Sequence, residues 1–265
     1  MSISTLQFLG TESYPHETDT VHLLLESNDN KMLIDCGSTI TKTLYKLGLS
    51  PTEISDLFIT HTHIDHFIGV PYYLIGHFFV RVGSIITVSH KVKPLSIHCS
   101  IEVFDAIKNI MKIVSPGFDI IMKDANYKYE QTTSGSTFMV GSVEATIIEV
   151  EHSVPTQGLI LKGEGRKVFY SADTVYSEKL IQLVGKCDVV IHEAMYLEKD
   201  RMIANQLKHA TAQDAGRFAS KVCAQELYIV HISDTYHDKE LVISEARNEF
   251  KGKVIIPNRY DKLKF

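Results

Sequence analysis

The chain of 265 residues has no hydrophobic run long enough to cross a bilayer, although 44% of its residues are apolar, so no membrane association is expected. Its first ten residues, MSISTLQFLG, show no basic stretch followed by an apolar segment, and no secretory signal is expected. There is no Pro/Ser-rich linker, no internal repeat and no low-complexity tract, which points to a single domain over residues 1–265. Cysteine is scarce. Cys36, Cys99, Cys187 and Cys223 form no CxxC pair and sit in apolar surroundings, which reads as buried, reduced thiols in a cytoplasmic protein. An excess of basic residues is also missing, and the formal charge is −5. That balance excludes non-specific coating of long nucleic acid. It leaves room for a small anionic substrate held by local charge and metal ions.

What the chain does have is histidine in a dense array, His61-Thr-His63-Ile-Asp65-His66. The array follows an apolar run, Asp56 to Thr60, that reads as a buried strand, and precedes Phe67 to Val80, which reads as a helix. Alternation along an extended segment puts His61 and His63 on one side. Asp65 and His66 come after the turn and face a second point. Imidazole and carboxylate are ligands that zinc and similar first-row metals accept. Four such groups within six residues are too many for one ion, so the spacing suggests two.

Strand signals recur at Ile3 to Gly10, Thr20 to Glu26, Lys31 to Asp35, Ser84 to Ser89, Leu95 to Cys99, Thr137 to Val140, Val143 to Glu151, Gly158 to Leu161, Lys167 to Ser171, Asp188 to Ile191, Leu227 to Val230 and Val254 to Ile256. Helical spacing marks Ser38 to Leu47, Glu102 to Val114, Ser177 to Val184, Thr211 to Val222 and Lys239 to Phe250, with Ser50 to Glu53 a further helix-start signal and Thr211 an expected N-cap. Two packed sheets with helices outside accommodate this order. The alternation alone also permits a doubly wound sheet, and the metal motif decides between them. His152, Asp173 and His231 each directly follow an apolar strand, where loop-built sites gather. They supply what two ions still need.

This set, His61-x-His63-x-Asp65-His66 with His152, Asp173 and His231, resembles the metallo-β-lactamase superfamily over nearly the whole chain. The resemblance implies an α/β fold of the αββα type, with two packed β-sheets, helices on the outer faces and the site at the edge of both sheets. It implies one metal held by His61, His63 and His152, a second by Asp65, His66 and His231, and Asp173 bridging them. The two divalent ions would be zinc, with manganese as the alternative. Lactamases commonly place cysteine where this chain has Asp173, and flavodiiron proteins expect a glutamate within the first motif that is absent here. His152-Ser-Val-Pro155, Ile191-His192-Glu193-Ala194 and Lys208-His209-Ala210-Thr211-Ala212 instead resemble the ribonuclease Z branch. In that branch a histidine matching His209 stands beside the metals as proton donor, usually followed by serine, where this chain has Ala210.

Ribonuclease Z inserts a long arm between the segments matching His152 and Asp173, and that arm grips transfer RNA. Here about twenty residues separate the two, enough for a plain hairpin. The chain therefore resembles the short-armed phage and bacterial cyclic-nucleotide phosphodiesterases that defeat Pycsar-type immunity. That resemblance implies hydrolysis of 3′,5′-cyclic mononucleotides in the cytoplasm (the host's, if the chain is phage-encoded); the catalytic set is expected to be Asp65, His209 and Glu193. Glu193 is expected to hold His209 protonated. A ribonuclease Z-type RNA 3′-processing nuclease is the alternative. RNA is the less expected partner, because Lys42, Lys46, Lys91 and Lys93 offer only a thin basic surface. A hydrolase of another small ester and a non-catalytic scaffold stay open. Ser153 and Thr174 are read chiefly as turn residues, His16 chiefly as a loop residue with a reach to the pocket mouth as the lesser reading, and His22, His90, His98 and His237 as ordinary strand or surface residues. His77 is read as a packed or interface histidine on an unusually apolar helix that suggests a homodimer.

Overall fold

Neighbouring side chains along the early strands point to opposite faces, and both faces are covered. In β2 (His22–Ser27) Leu23 and Leu25 oppose Leu24, and in β3 (Asn30–Ile34) Met32 and Ile34 oppose Leu33. A strand buried on both sides must be apolar throughout, which is why these segments read as continuous hydrophobic runs. The computed structural model describes residues 4–14, 19–87, 94–124 and 127–264.

The first sheet has the order β14 (Lys262–Lys264), β1 (Thr5–Gly10), β2, β3, β4 (Asp56–Phe58), β5 (Ser96–Cys99) and β6 (Lys128–Gln131). The second runs β13 (Lys253–Ile255), β12 (Glu226–Val230), β11 (Val189–Glu193), β10 (Arg166–Tyr170), β9 (Thr156–Gly163), β8 (Val143–Val150) and β7 (Thr137–Val140). Each sheet is an antiparallel meander on one side and a run of parallel strands on the other, β3 to β6 and β10 to β13. Residues from both sheets, among them Phe8, Leu23, Ile34, Phe58, Ile147, Val168 and Ile191, form the central core. Outside the first sheet pack α1 (Ile40–Lys46), α3 (Val70–Thr87), α4 (Ile101–Val114) and α5 (Phe118–Asp124); the short α2 (Ile64–Phe67) precedes α3. Outside the second pack α6 (Glu178–Val184), α8 (Ala212–Lys221) and α9 (Lys239–Glu249), with α7 (Arg201–Leu207) leading into α8. The architecture is the expected αββα sandwich.

Thr211 caps α8 with a reciprocal pair, its hydroxyl accepting from Asp214 N while Asp214 accepts from Thr211 N. Two expectations need correction, and four elements are not foreseen in the sequence. Ser84 to Thr87 continue α3 rather than forming a strand, because extending a nucleated helix outweighs the weak β preference of Ile85, Ile86 and Thr87. Residues 88 and 89 lie outside the described residues. Cys223 is exposed, unlike the other three cysteines, because the chain leaves α8 through Cys223 in a left-handed conformation (φ 55°). Finally α5, α7, β6 and β14 carry no sequence signal strong enough to be expected. No helix among the described residues is long and apolar enough to cross a membrane.

Candidate active site

The polar groups of the site gather where parallel strands end, the place where α/β sheets leave a crevice. Asp35 follows β3, His61 follows β4, Asp173 follows β10, Glu193 ends β11 and His231 follows β12. His152 leaves the antiparallel β8, and α2 carries Asp65 and His66. Asp35, Ala172 and His231 have positive φ (63°, 52° and 56°), a conformation that costs a non-glycine residue of order 1 kcal/mol. The sharp reversal there turns the side chain out of the sheet and into the site. The turn carrying Asp65 and His66 is sewn to β3: Cys36 N donates to His66 O at 2.7 Å and Gly69 N to Cys36 O at 2.8 Å. A Cβ on Gly69 would stand 2.0 Å from Gly37 O, so only glycine permits this approach.

The seven residues read as ligands converge. His61 Nε2 lies 3.5 Å from Asp173 Oδ2, and His66 Nε2 lies 3.5 Å from Asp173 Oδ1 and 3.6 Å from Asp65 Oδ2. His231 Nε2 is 3.1 Å from Asp65 Oδ2 and 3.4 Å from Asp173 Oδ2. His152 Nε2 is 3.9 Å from Asp173 Oδ2 and 3.1 Å from His63 Nδ1. One group gathers His61, His63, His152 and Asp173, a second Asp65, His66 and His231, and a third Asp173, His209 and His231, each with its ligand atoms within 4.8 Å of one another.

A second layer fixes which nitrogen faces inward. Thr60 Oγ1 gives its proton to Asp35 Oδ1 at 2.9 Å, so it accepts from His61 Nδ1 at 2.8 Å. His66 Nδ1 donates to Asp35 Oδ2 at 2.8 Å, and His152 Nδ1 to Lys208 O at 2.7 Å. Each ring therefore presents a bare Nε2 to the cluster. The Nε2 atoms of His61 and His66 are buried without any hydrogen-bond partner among the described residues. Buried lone pairs of this kind, set against carboxylate oxygens, fit a divalent cation. The electrostatics agree. Burial opposes charge on His66, yet Asp173, Asp35 and Asp65 push its pKa up to about 10. Burial likewise opposes the Asp65 and Asp173 carboxylates, and the imidazoles around them hold both well below the usual range. The cluster attracts positive charge.

His209 stands at the rim of this cluster, its ring stacked at 5.3 Å on that of His231 and set edge-on at 4.8 Å to that of His152. Its Nδ1 is 2.8 Å from Glu193 Oε1. Burial works against the imidazolium, and the Glu193 carboxylate outweighs it, raising the pKa to about 9. Glu193 is itself held by Thr174 N at 2.8 Å and Met195 N at 3.1 Å.

Other candidates fall outside the cluster. Ser153 Oγ reaches His63 Nε2 at 3.3 Å, whereas the Thr174 hydroxyl bonds only backbone carbonyls. His77 is buried against Tyr127, and His98 binds Asp56 at 2.8 Å and stacks on Phe138. His22 is a buried strand residue and His237 is exposed. His16, His90, Lys91 and Lys93 lie outside the described residues. Asp35 and Thr60 escape the sequence reading. Asp35 ends an apolar strand just as Asp173 does, and that same signal marks it.

The family model of the anti-Pycsar protein Apyc1 matches residues 4–252. A ribonuclease Z of Bacillus velezensis is 26% identical over 295 aligned positions, covering 96% of this chain and 94% of the relative. That alignment is longer than the chain, so the relative carries insertions. Among solved structures, the metallo-β-lactamase fold protein YhfI of Bacillus subtilis superposes with a TM-score of 0.81 at 19% identity over the whole of both chains. The short form of human tRNase Z gives 0.73 at 21% identity, covering 98% of each chain. These two establish the fold. The chain is a metal-dependent hydrolase with the metallo-β-lactamase fold, and by the match over residues 4–252 it belongs to the anti-Pycsar protein Apyc1 family.

Proposed function

We propose that the chain is a two-metal phosphodiesterase that opens 3′,5′-cyclic mononucleotides to linear nucleoside monophosphates, countering cyclic-nucleotide immune signalling in the cytoplasm. The observation that carries this reading is the connection between His152 and Asp173. It consists of β9 and β10 joined by a two-residue turn, Glu164–Gly165, with φ of 48° and 83°, the positive pair a tight hairpin demands. No arm stands there to hold a large folded RNA. The family match and the overall charge of −5 also support a small anionic substrate. Residues 1–265 are taken as one domain, because both sheets share a core.

On this reading His61, His63 and His152 would hold one divalent ion, and Asp65, His66 and His231 the other, with Asp173 facing both. Zinc fits the nitrogen-rich donor set, and manganese is the alternative. When bound, such a pair supplies charge neutralisation at the phosphoryl oxygens and an activated water for in-line attack. The protein's own share is orientation and a proton. Asp65 directs one carboxylate oxygen toward His66 and His231. His209, charged through its pairing with Glu193, donates from Nε2 to the leaving oxygen. Tyr72 and Phe79 on α3, 70% and 66% exposed, support a homodimer formed through that helix.

The test is to load the protein with zinc or manganese, incubate it with a panel of 3′,5′-cyclic mononucleotides, and separate the products. Linear monophosphates are expected, and intact cyclic nucleotides throughout the panel refute the proposal. The ribonuclease names of the curated relatives favour a second reading, RNA 3′ processing, which predicts cleavage of an unprocessed transfer-RNA precursor instead.

A further inference from the structure

The loop after β1 touches both sides of the Asp65–His231 contact. On its outgoing limb, Thr11 O accepts from His231 N at 2.7 Å, and Ser13 Oγ donates to Ile232 O at 3.1 Å. On its returning limb, Thr20 Oγ1 donates to Asp65 O at 2.7 Å. The limbs are tied together: Thr11 N donates to Asp19 O at 3.3 Å, and Glu12 forms β-bridges with both Thr20 and Ile232. One loop therefore grips the backbone of Asp65, from the first sheet, and of His231, from the second. The two side chains meet at 3.1 Å.

The direction of each hydrogen bond can be assigned. Asp65 O can only accept, so the Thr20 hydroxyl proton is spent there. The 3.2 Å contact between Thr20 Oγ1 and His22 Nε2 must then be donated by His22. The relay runs His22 Nε2–H to Thr20 Oγ1–H to Asp65 O. His22 is 1% exposed and its ring lies close over Gly37, where a Cβ would fall 2.5 Å from Cε1. A buried histidine with a fixed donor, spent on one hydroxyl, is an unusual use of a polar side chain.

We propose that Thr20 and His22 are positioning residues for the Asp65–His66–His231 half of the site, holding the turn that carries Asp65 at the right distance from His231. In the other half His61 and His152 have supports of their own, Thr60 and Lys208 O, which the relay does not touch. The proposal rests on the two-ion reading above.

The experiment measures bound zinc per chain by atomic emission after equilibration against graded chelator, without substrate. It compares the wild type with Thr20→Val and His22→Leu, which break the relay, and Thr20→Ser and His22→Gln, which keep a donor at each point. The wild type should hold two ions. Thr20→Val and His22→Leu should release one of them at roughly 10–100-fold lower chelator strength, the range seen when an outer partner of a ligand is removed. The other ion should stay in place, and the Ser and Gln variants should follow the wild type. Two ions held unchanged in Thr20→Val and His22→Leu overturn the proposal. So does equal weakening of both ions with a fall in melting temperature, which marks a general stability role. A wild type that takes one ion removes the two-ion reading and this proposal together. Because no nucleotide is used, an error about the substrate leaves the result unaffected.

Discussion

His209 Nδ1 and Glu193 Oε1 stand 2.8 Å apart, and two backbone amides fix the carboxylate in that position. A buried imidazole so paired carries its proton toward the cluster rather than away from it. Replacing His209 with alanine should lower kcat by about a hundredfold or more, the usual share of a general acid. Metal content, measured in the same samples, should not change. Loss of an ion in His209→Ala would make His209 a ligand, which its place in the Asp173–His209–His231 group makes the specific alternative.

Glu193→Gln removes the main charge that offsets burial, leaving only the weaker pull of Asp173, so the His209 pKa should fall. A proton donor works below its pKa. The basic limb of the pH–rate profile should therefore move to lower pH in Glu193→Gln, and an unmoved limb excludes His209 as the donor.

Asp35 accepts from His66 Nδ1, Thr60 N and Thr60 Oγ1 at 2.8, 2.8 and 2.9 Å, and is fully buried. Asparagine keeps its shape and tolerates φ of 63°, but lacks one acceptor oxygen and the charge. Asp35→Asn should weaken metal binding about 10–100-fold while the chain stays folded. Chelator competition followed by circular dichroism checks both parts.

These residues show what a sequence exposes and what it hides. His61 to His66 are legible because histidines at period two, set between an apolar strand and an apolar helix, have little to do there except bind metal. Thr211 is legible because a cap is a local interaction. Asp35 carries the same strand-end signal as Asp173, but its role is hidden, since it acts only through His66, 31 positions away. The relay of Thr20 and His22 depends on a contact across 45 positions, and nothing in VHLLLE suggests it. Ser84 to Thr87 mislead because β-branched side chains favour strands locally, while the helix in progress sets the outcome. β6 escapes notice because its pairing with β5, rather than its mostly exposed polar side chains, makes it a strand.

His77 offers a pH test away from the metal cluster. It is fully buried, with Nδ1 2.8 Å from Tyr127 Oη and no partner for Nε2 among the described residues. Burial, with Arg81 nearby, lowers its pKa from 6.5 to about 4. The unfolded chain then binds the proton more readily than the folded one. Stability is unaffected above about pH 6.5 and falls as pH drops toward 4, by up to about 3 kcal/mol. Denaturant titrations at pH 7.5 and 4.5 should show a smaller acid loss in His77→Gln than in the wild type. Equal losses contradict the account.

Tyr72 and Phe79 lie on one helix and expose most of their rings. If α3 forms the dimer face, Tyr72→Glu with Phe79→Glu should convert the species seen by sedimentation from dimer to monomer. A wild type that sediments as a monomer at all concentrations contradicts the dimer.

The most direct test of the central claim is a competition in one vessel. The zinc- or manganese-loaded protein receives a 3′,5′-cyclic mononucleotide and an unprocessed transfer-RNA precursor together, and both are followed over time. The account predicts that the cyclic nucleotide is converted to its linear monophosphate while the precursor stays whole, and that Asp173→Asn abolishes the conversion. Cleavage of the precursor with the cyclic nucleotide untouched would contradict it and mean that a surface other than an arm holds RNA.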